Sequence, residues 1–387
     1  MIKWPLQTVL RRIPEPGNVA GDVQTTAVVA RIGVFLGPAF GICFLTGLIS
    51  HNAQATSGIL LRPWPVWGYR LSQGIHVATG IACLPLLLAK IFAAYPRILT
   101  RPEGGSGKRT TMVRFAADRL LVGVLTAAGI VQVATGIFNV FQWYIFRFDF
   151  VPVHYAVAWI AMGAILIHVA TKLPTIARAV RRPRAGRERA DRPTSRRGFV
   201  GGVLGVSGGL VLFSVGQTIG PLDRLAFLAP RRPRAVNLQG VPANRTAAQA
   251  GVTDRLADWS LTITGPIRRR ELDRGTLAAM PQTTVRLPIA CVEGWSIGAE
   301  WSGVRIRELI ELVGGGDQGV RVVSLERGSR YAQTILPADF VEDDRSILAL
   351  TINGEALHPD HGFPARVIAP NRLGALQTKW VERLEVL

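Results

Sequence analysis

Four long apolar runs fill the first half of the chain, at residues 31–50, 71–95, 120–141 and 151–174. Each is close to the roughly 20 residues that a helix needs to cross a bilayer. Between the first two, the stretch 52–70 holds Trp64, Trp67 and Tyr69 with two prolines, which reads as an aromatic belt at the outer interface. Between the second and third, residues 96–119 carry Arg97, Arg101, Lys108, Arg109 and Arg114. That excess of positive charge places the stretch inside. The N-terminus and the end of the fourth run are then cytoplasmic. A fifth run, 199–219, is rich in Gly, Val and Leu and is weakly hydrophobic because of its glycines. If it spans, everything after it lies outside. Beyond residue 236 the pattern changes to short β-rich runs, "WSLTITG", "TTVRLPIACV", "GVRVVSL", "SILALTI", "ARVIAP" and "VERLEVL", punctuated by Gly, Pro and charge. One helix signal, "VRIRELIELV", lies among them.

The expected organisation is therefore a multidomain membrane protein with an all-α transmembrane bundle and a mainly β (α+β) domain. Residues 1–28 form a cytoplasmic segment and 29–176 a four-helix transmembrane domain. Residues 177–198 form an arginine-rich cytoplasmic linker, 199–220 a fifth transmembrane helix and 221–387 an extracytoplasmic domain.

Composition agrees. The mean hydropathy of +0.26 is unusual for a soluble enzyme. The formal net charge of +19 comes almost wholly from arginine. The arginines cluster between apolar runs, with no basic stripe carrying interleaved aromatics, so the charge is read as membrane topology and not nucleic-acid binding. The three cysteines, Cys43, Cys83 and Cys291, suggest neither a disulfide framework nor a paired-cysteine zinc site. Cys43 and Cys83 lie in apolar runs and read as small buried hydrophobes.

Four of the six histidines, His51, His76, His154 and His168, sit in or at the apolar runs. Ionisable groups inside a bilayer are costly and usually have a function or a partner, and neutral imidazole is a good haem ligand. The alternative is a hydrogen bond to a neighbouring helix. His154 and His168 are 14 residues apart, which puts both on one helix face about 21 Å apart along the axis. The set resembles the four-helix cytochrome b subunits of bacterial membrane oxidoreductases, such as those of formate dehydrogenases. The resemblance implies that His76 and His154 share one haem b near the outer face. It makes His168 a ligand of a second haem, but the helix position expected to supply its partner, in "ARIGVFLGPAFG", has no histidine, and His51 lies at the wrong end of its run.

The lone Cys291, in "LPIACVEGWSIGAEW", has three readings from its residues: a buried structural thiol, a nucleophile served by His358 or His361, or a metal thiolate, soft sulfur suiting a heavier metal. Its surroundings resemble the sulfite oxidase family of molybdenum-cofactor proteins over about residues 236–387. "NGEALHPDHGFPAR", "GALQTKW", "CVEGW" and "EWSGVRIRELI" carry the likeness. It implies that Cys291 ligates molybdenum and is the catalytic cysteine. It also implies that His361, Arg366, Gln377, Thr378 and Lys379 contact molybdopterin, with Asn244 a further contact. Arg and Lys suit its phosphate. Trp295 and Trp301 read as packing. Arg327, Arg330 and Tyr331 are candidates for anion or substrate contact, against a solvated loop.

In length the domain looks more like the catalytic subunit of the bacterial periplasmic methionine sulfoxide reductase than like the longer sulfite oxidases, here with a haem-type membrane module in front. The stretch "TSRRGFVGG" resembles a twin-arginine export signal through Ser195, Arg196, Arg197 and Phe199, with Val200 and Gly201 departing from it. The twin-arginine machinery would then be a partner, as would the quinone pool. The expected activity is two-electron oxygen-atom transfer at molybdenum, reducing an S-oxide or N-oxide, small or protein-bound (methionine sulfoxide included), with electrons arriving through haem b. Two alternatives stand beside it. One is a sulfite-type dehydrogenase passing electrons to the membrane. The other is a non-enzymatic haem-binding membrane docking protein.

Overall fold

The computed structural model describes residues 23–54, 61–99, 109–143, 145–181, 196–215, 220–229 and 239–387. Most of the N-terminal segment, the core of the arginine-rich linker at 182–195 with Ser195, and Arg101 and Lys108 lie outside the described residues. The chain forms two compact units. One comprises residues up to 45 and 76–214, the other residues 46–75 and 215–387.

Among the described residues, five helices are long and apolar enough to cross a membrane: α1 (Thr26–Ala53), α2 (Gly68–Leu99), α3 (Arg109–Phe141), α4 (Phe150–Arg181) and α5 (Arg196–Val215). They extend the apolar runs by up to a few turns. Their large side chains stay uncovered; Leu45, Leu120 and Leu166 are each more than 60% exposed. Outward-facing leucine on several helices is what lipid solvation requires. Within the helical unit, Val28 and Ile32 of α1, Leu86, Ala89 and Ala93 of α2 and Phe199, Val203 and Leu204 of α5 share one apolar cluster. The glycines that lower the hydropathy of α5 do not prevent it from being a 20-residue helix.

The second unit holds two five-stranded sheets. Strands β1 (Ser260–Thr264), β2 (Arg269–Asp273), β5 (Val320–Ser324), β6 (Gln333–Leu336) and β10 (Val381–Val386) make the first, in the order β2-β1-β10-β5-β6. Only the β1–β10 pair in it is parallel. The second has the order β3-β4-β7-β8, with β9 also on β7; its strands are β3 (Thr283–Ala290), β4 (Ser296–Arg305), β7 (Ile347–Ile352), β8 (Glu355–Ala356) and β9 (Arg366–Ile368). Helix α8 (Ile306–Glu311) follows β4 directly and buries Ile306, Leu309 and Ile310. With Leu261, Ile263, Val322, Leu348 and Trp380 these form the main core. The predicted helix is thus six residues long, and the residues before it in "EWSGVR" are strand.

All six predicted strand runs are present as β1, β3, β5, β7, β9 and β10. The unpredicted strands have physical reasons. Strand β2, "RRELD", is a charged, exposed edge. Strand β4 carries Gly298 and Gly303, which interrupt its alternation. Gly303 sits at a register shift against β7, and a Cβ there would collide with the Leu348 carbonyl. Strands β6 and β8 are only four and two residues long.

Candidate functional site

Strands β3 and β4 form a hairpin that ends at the pair Ala290 and Ser296. Cys291 is the first residue of the connecting turn. Its backbone N–H donates to Trp295 O at 2.9 Å and its carbonyl accepts from Gly294 N at 3.1 Å. Gly294 has φ +88°, which suits glycine there. The thiol is therefore at the tip of a rigid hairpin and is nearly buried, at 8% exposure.

Asn244 comes to this tip from the segment before α6 (Ala247–Ala250). Its Nδ2 donates to Cys291 Sγ at 3.0 Å and to Glu293 Oε1 at 3.2 Å. The other Glu293 oxygen accepts from Trp295 Nε1 at 2.7 Å. An amide donor aimed at sulfur stabilises a thiolate over a thiol. Trp295 and Trp301 are both buried, and Trp301 donates to Leu287 O, so both pack while satisfying their N–H groups.

The segment 358–380 supplies the other side. His358 accepts from Asp360 N at 3.1 Å and caps the turn 359–361. His361 follows, 1% exposed. Gly362 has φ +105°, and a Cβ there would press on Lys379 and Arg366 at 3.0–3.1 Å. The glycine in "HGFPAR" thus permits both a left-handed turn and the approach of two cations. Arg366 donates from Nη1 to His361 O at 3.0 Å and from Nη2 to Gln377 O at 3.1 Å. Its guanidinium lies over Trp301, 5.2 Å from the ring centroid. Lys379 Nζ donates to Asp360 O at 2.9 Å and to Arg245 O at 2.5 Å. Thr378 shares a buried hydroxyl pair with Thr334 at 2.7 Å. Gln377 Nε2 donates to Arg372 O at 3.1 Å. Gly374 lets this loop touch the end of β3, since a Cβ there would sit 3.0 Å from Ile289 and 3.2 Å from Ala290 O. A parallel bridge joins Ala290 to Leu373.

The electrostatics are lopsided. Burial brings the Arg366 guanidinium down to about 9 and that of Arg372 to about 10. Burial first, and the Arg366 charge second, bring the Lys379 ammonium down to about 7. Among the described residues no carboxylate pairs with Arg366 or Arg372, whose donors reach only carbonyl groups. Glu326 is already paired with Arg245. Buried cations without counter-charge are costly, so the interior favours an anion. Three buried polar atoms, Asn244 Oδ1, Gln377 Oε1 and Arg366 Nε, also have no hydrogen-bond partner among the described residues. Buried polar atoms are nearly always paired, so these three could serve a ligand.

The structure thus gathers Asn244, Cys291, His361, Arg366, Gln377, Thr378 and Lys379 in one unit. Arg372 and Glu293 join them and were not expected. A buried arginine in a loop has no sequence signature, although the acid beside Cys291 was visible. Arg327 is taken up by Glu382, at 2.7 and 2.9 Å. Arg330 lies near the Tyr331 ring, 5.9 Å from its centroid.

In the helical unit, His76 of α2 and His154 of α4 meet with ring centroids 6.2 Å apart. A metal held about 2 Å from one nitrogen of each imidazole sets centroids roughly 6 Å apart. The outer nitrogens are anchored. His76 Nδ1 lies 2.8 Å from Cys43 O and donates to it. Thr135 Oγ1 spends its proton on Val131 O at 2.7 Å and so accepts from His154 Nδ1 at 2.9 Å. With Nδ1 as the donor, Nε2 is the basic nitrogen of each neutral ring. Cys43, expected as a simple buried hydrophobe, instead sits half-buried against His76, with Sγ 3.6 Å from Nδ1. Cys83 is buried as expected. His168 is different. Its Nδ1 has no partner among the described residues, and Lys90, Lys172 and Asp118 surround it electrostatically. No second imidazole pairs with it among the described residues. His51 lies in the last turn of α1.

Residues 248–387 match the family model described as oxidoreductase molybdopterin binding domain. The sulfite oxidase of Arabidopsis thaliana is 28% identical over 171 residues, covering 35% of this chain and 44% of that protein. The NADPH nitrate reductase of Neurospora crassa is 26% identical over 214 residues, 45% of this chain and 22% of that one. A chain of Azospira oryzae provisionally named a protein-methionine-sulfoxide reductase subunit is 29% identical over 163 residues, 41% of this chain and 61% of that one. The matches with the sulfite oxidase and the nitrate reductase span less than half of the relative's length. The chain therefore joins a helical region with five candidate membrane spans to a molybdopterin-binding oxidoreductase domain homologous to sulfite oxidase and nitrate reductase.

Proposed function

We propose that this protein is a membrane-anchored reductase of S-oxides or N-oxides, methionine sulfoxide among them, fed with electrons by the quinone pool through a haem b held by His76 and His154. The observation that carries the reading is the Cys291 tip. A thiol with an amide donor on its sulfur faces a set of buried, unpaired polar atoms and uncompensated cations. These residues fit the molybdenum cofactor. Cys291 would hold the metal, Arg366 and Lys379 would hold the phosphate, and Asn244 and Gln377 would offer acceptors to the pterin. When bound, the centre supplies two-electron oxygen-atom transfer.

The chain's own residues do the rest. Asn244 keeps the sulfur anionic. The hairpin fixes its direction, and burial of Cys291, His361 and Arg366 excludes water. His76 and His154 fit haem iron by separation and by their anchored Nδ1 atoms. His168 lacks a second imidazole, so the proposal contains one haem. The name of the Azospira oryzae relative favours the methionine sulfoxide class. The domain is proposed to be extracytoplasmic, exported through the twin-arginine machinery. The 46–75 segment, whose aromatics read as an outer belt, belongs to the same unit as the domain, which supports that side.

The test is metal content of detergent-purified full-length protein, followed by turnover with a reduced quinone analogue. One molybdenum and one haem per chain, with methionine sulfoxide reduced, is the expected result. Haem without molybdenum from cells able to make the cofactor would overturn it.

A further inference from the structure

We propose that Tyr69 and Gln73, in the first turns of α2, form part of the ligand-facing wall beside Cys291, with the Tyr69 phenol donating a hydrogen bond to the oxygen of a bound S-oxide or N-oxide. This rests on the reading of Cys291 as the metal thiolate. Four contacts tie residues 61–75 to the domain. Tyr69 N donates to Asn371 Oδ1 at 2.6 Å, and Asn371 Nδ2 donates to Arg62 O at 2.8 Å. Gln73 Nε2 donates to Val292 O at 2.5 Å, and Arg62 pairs with Asp339 at 3.0 Å. Gly68 makes room, because a Cβ there would sit 3.1 Å from the Asn371 side chain.

Val292 and Ala290 flank Cys291. Gln73 binds the first, and Tyr69 packs with the second in a cluster that also holds Leu373 and Leu376. Tyr69 is 1% exposed and Gln73 4%. The Tyr69 hydroxyl and Gln73 Oε1 have no hydrogen bond of normal geometry among the described residues. The hydroxyl has a loose side-chain hydrogen bond to Ser50, whose oxygen also accepts from Gln54 at 3.3 Å, and the Cys291 sulfur and Tyr331 act on it electrostatically. Leaving a buried hydroxyl unpaired costs about 1–3 kcal/mol. A donor beside the thiolate gains a partner when an oxygen-bearing substrate arrives.

Tyr69→Phe removes one oxygen and no packing. In the full-length holoprotein it is expected to keep molybdenum and haem content while losing on the order of 100-fold in kcat/KM. It is also expected to alter the proton coupling in the electron paramagnetic resonance signal of the one-electron-reduced molybdenum. Gln73→Leu is expected to broaden that signal by loosening the Val292 carbonyl. Unchanged kcat/KM and an unchanged signal in Tyr69→Phe would overturn the proposal, and so would loss of molybdenum, which would show a purely structural tyrosine. Wild-type protein lacking molybdenum would instead sink the parent reading, so the two failures are distinguishable.

Discussion

The two candidate sites among the described residues are built on opposite principles. The Cys291 site is assembled from strand ends and loops. Its shape depends on positive-φ turns at Gly294 and Gly362 and on buried cations whose donors are only partly used. The His76–His154 site is assembled from helix faces. Its outer nitrogens are fully committed, to the Cys43 carbonyl and to Thr135. The loop site stores unsatisfied polarity for a large anionic ligand. The helix site anchors each imidazole through its Nδ1. A ligand would therefore stabilise the first most, whereas the imidazoles of the second are already oriented.

That contrast predicts separable losses. The largest belongs to Cys291→Ser. A serine hydroxyl is a poor ligand for a heavier metal that prefers sulfur. Turnover is expected to fall by about 1,000-fold or more, with the haem absorbance spectrum unchanged. A variant retaining wild-type turnover would show that the thiol is only packing.

His154→Ala is the mirror experiment. It should abolish the bis-imidazole haem spectrum and quinol-driven turnover, yet leave molybdenum content and turnover with an artificial small reductant intact. Thr135→Val, which removes only the acceptor for His154 Nδ1, should lower haem affinity by about 10–100-fold. Loss of molybdenum in His154→Ala would break the separation.

The two sites were also legible in different ways. Helix existence follows from run length alone, and the fourteen-residue spacing placed two histidines on one face, but spacing could not show that Cys43 and Thr135 anchor the rings. Those contacts join different helices. In the domain, motif residues Cys291, His361, Arg366 and Lys379 were readable because glycines and cations in a fixed order leave a pattern. Arg372, Tyr69 and Gln73 were not. Arg372 is buried against carbonyl groups, a state arginine rarely adopts. Tyr69 lies about 220 residues from Cys291 in sequence, and its aromatic neighbours made it look like part of a membrane belt. The strands missed were those whose alternation is broken by charge or glycine, or that are too short to show any.

Gly362→Ala tests whether the loop site depends on its turn. Alanine at φ +105°, pressed against Lys379 and Arg366, is expected to cost about 2 kcal/mol. The thermal unfolding midpoint of the domain should fall by a few degrees, and molybdopterin should be lost. The helical unit's haem spectrum should not move.

The smallest effect is a pH dependence confined to the loop site. In the cofactor-free protein Lys379 titrates near 7, whereas an exposed lysine in the unfolded chain titrates near 10.5. Below pH 7 both forms are charged and the burial cost is constant. Between 7 and 10.5 the unfolded chain binds more protons, so stability of the cofactor-free domain rises with pH across that window. An anionic cofactor beside Lys379 favours the charged ammonium, so its binding takes up a proton above pH 7. Cofactor retention should then weaken with rising pH, by at most about tenfold per unit. The two slopes have opposite signs, and Lys379→Met should flatten both. Pterin release followed by fluorescence and denaturation of the cofactor-free protein, each from pH 6 to 9, would measure them. Parallel slopes would mean that Lys379 does not face the anion, and the charge balance at the site would then rest on Arg366 and Arg372.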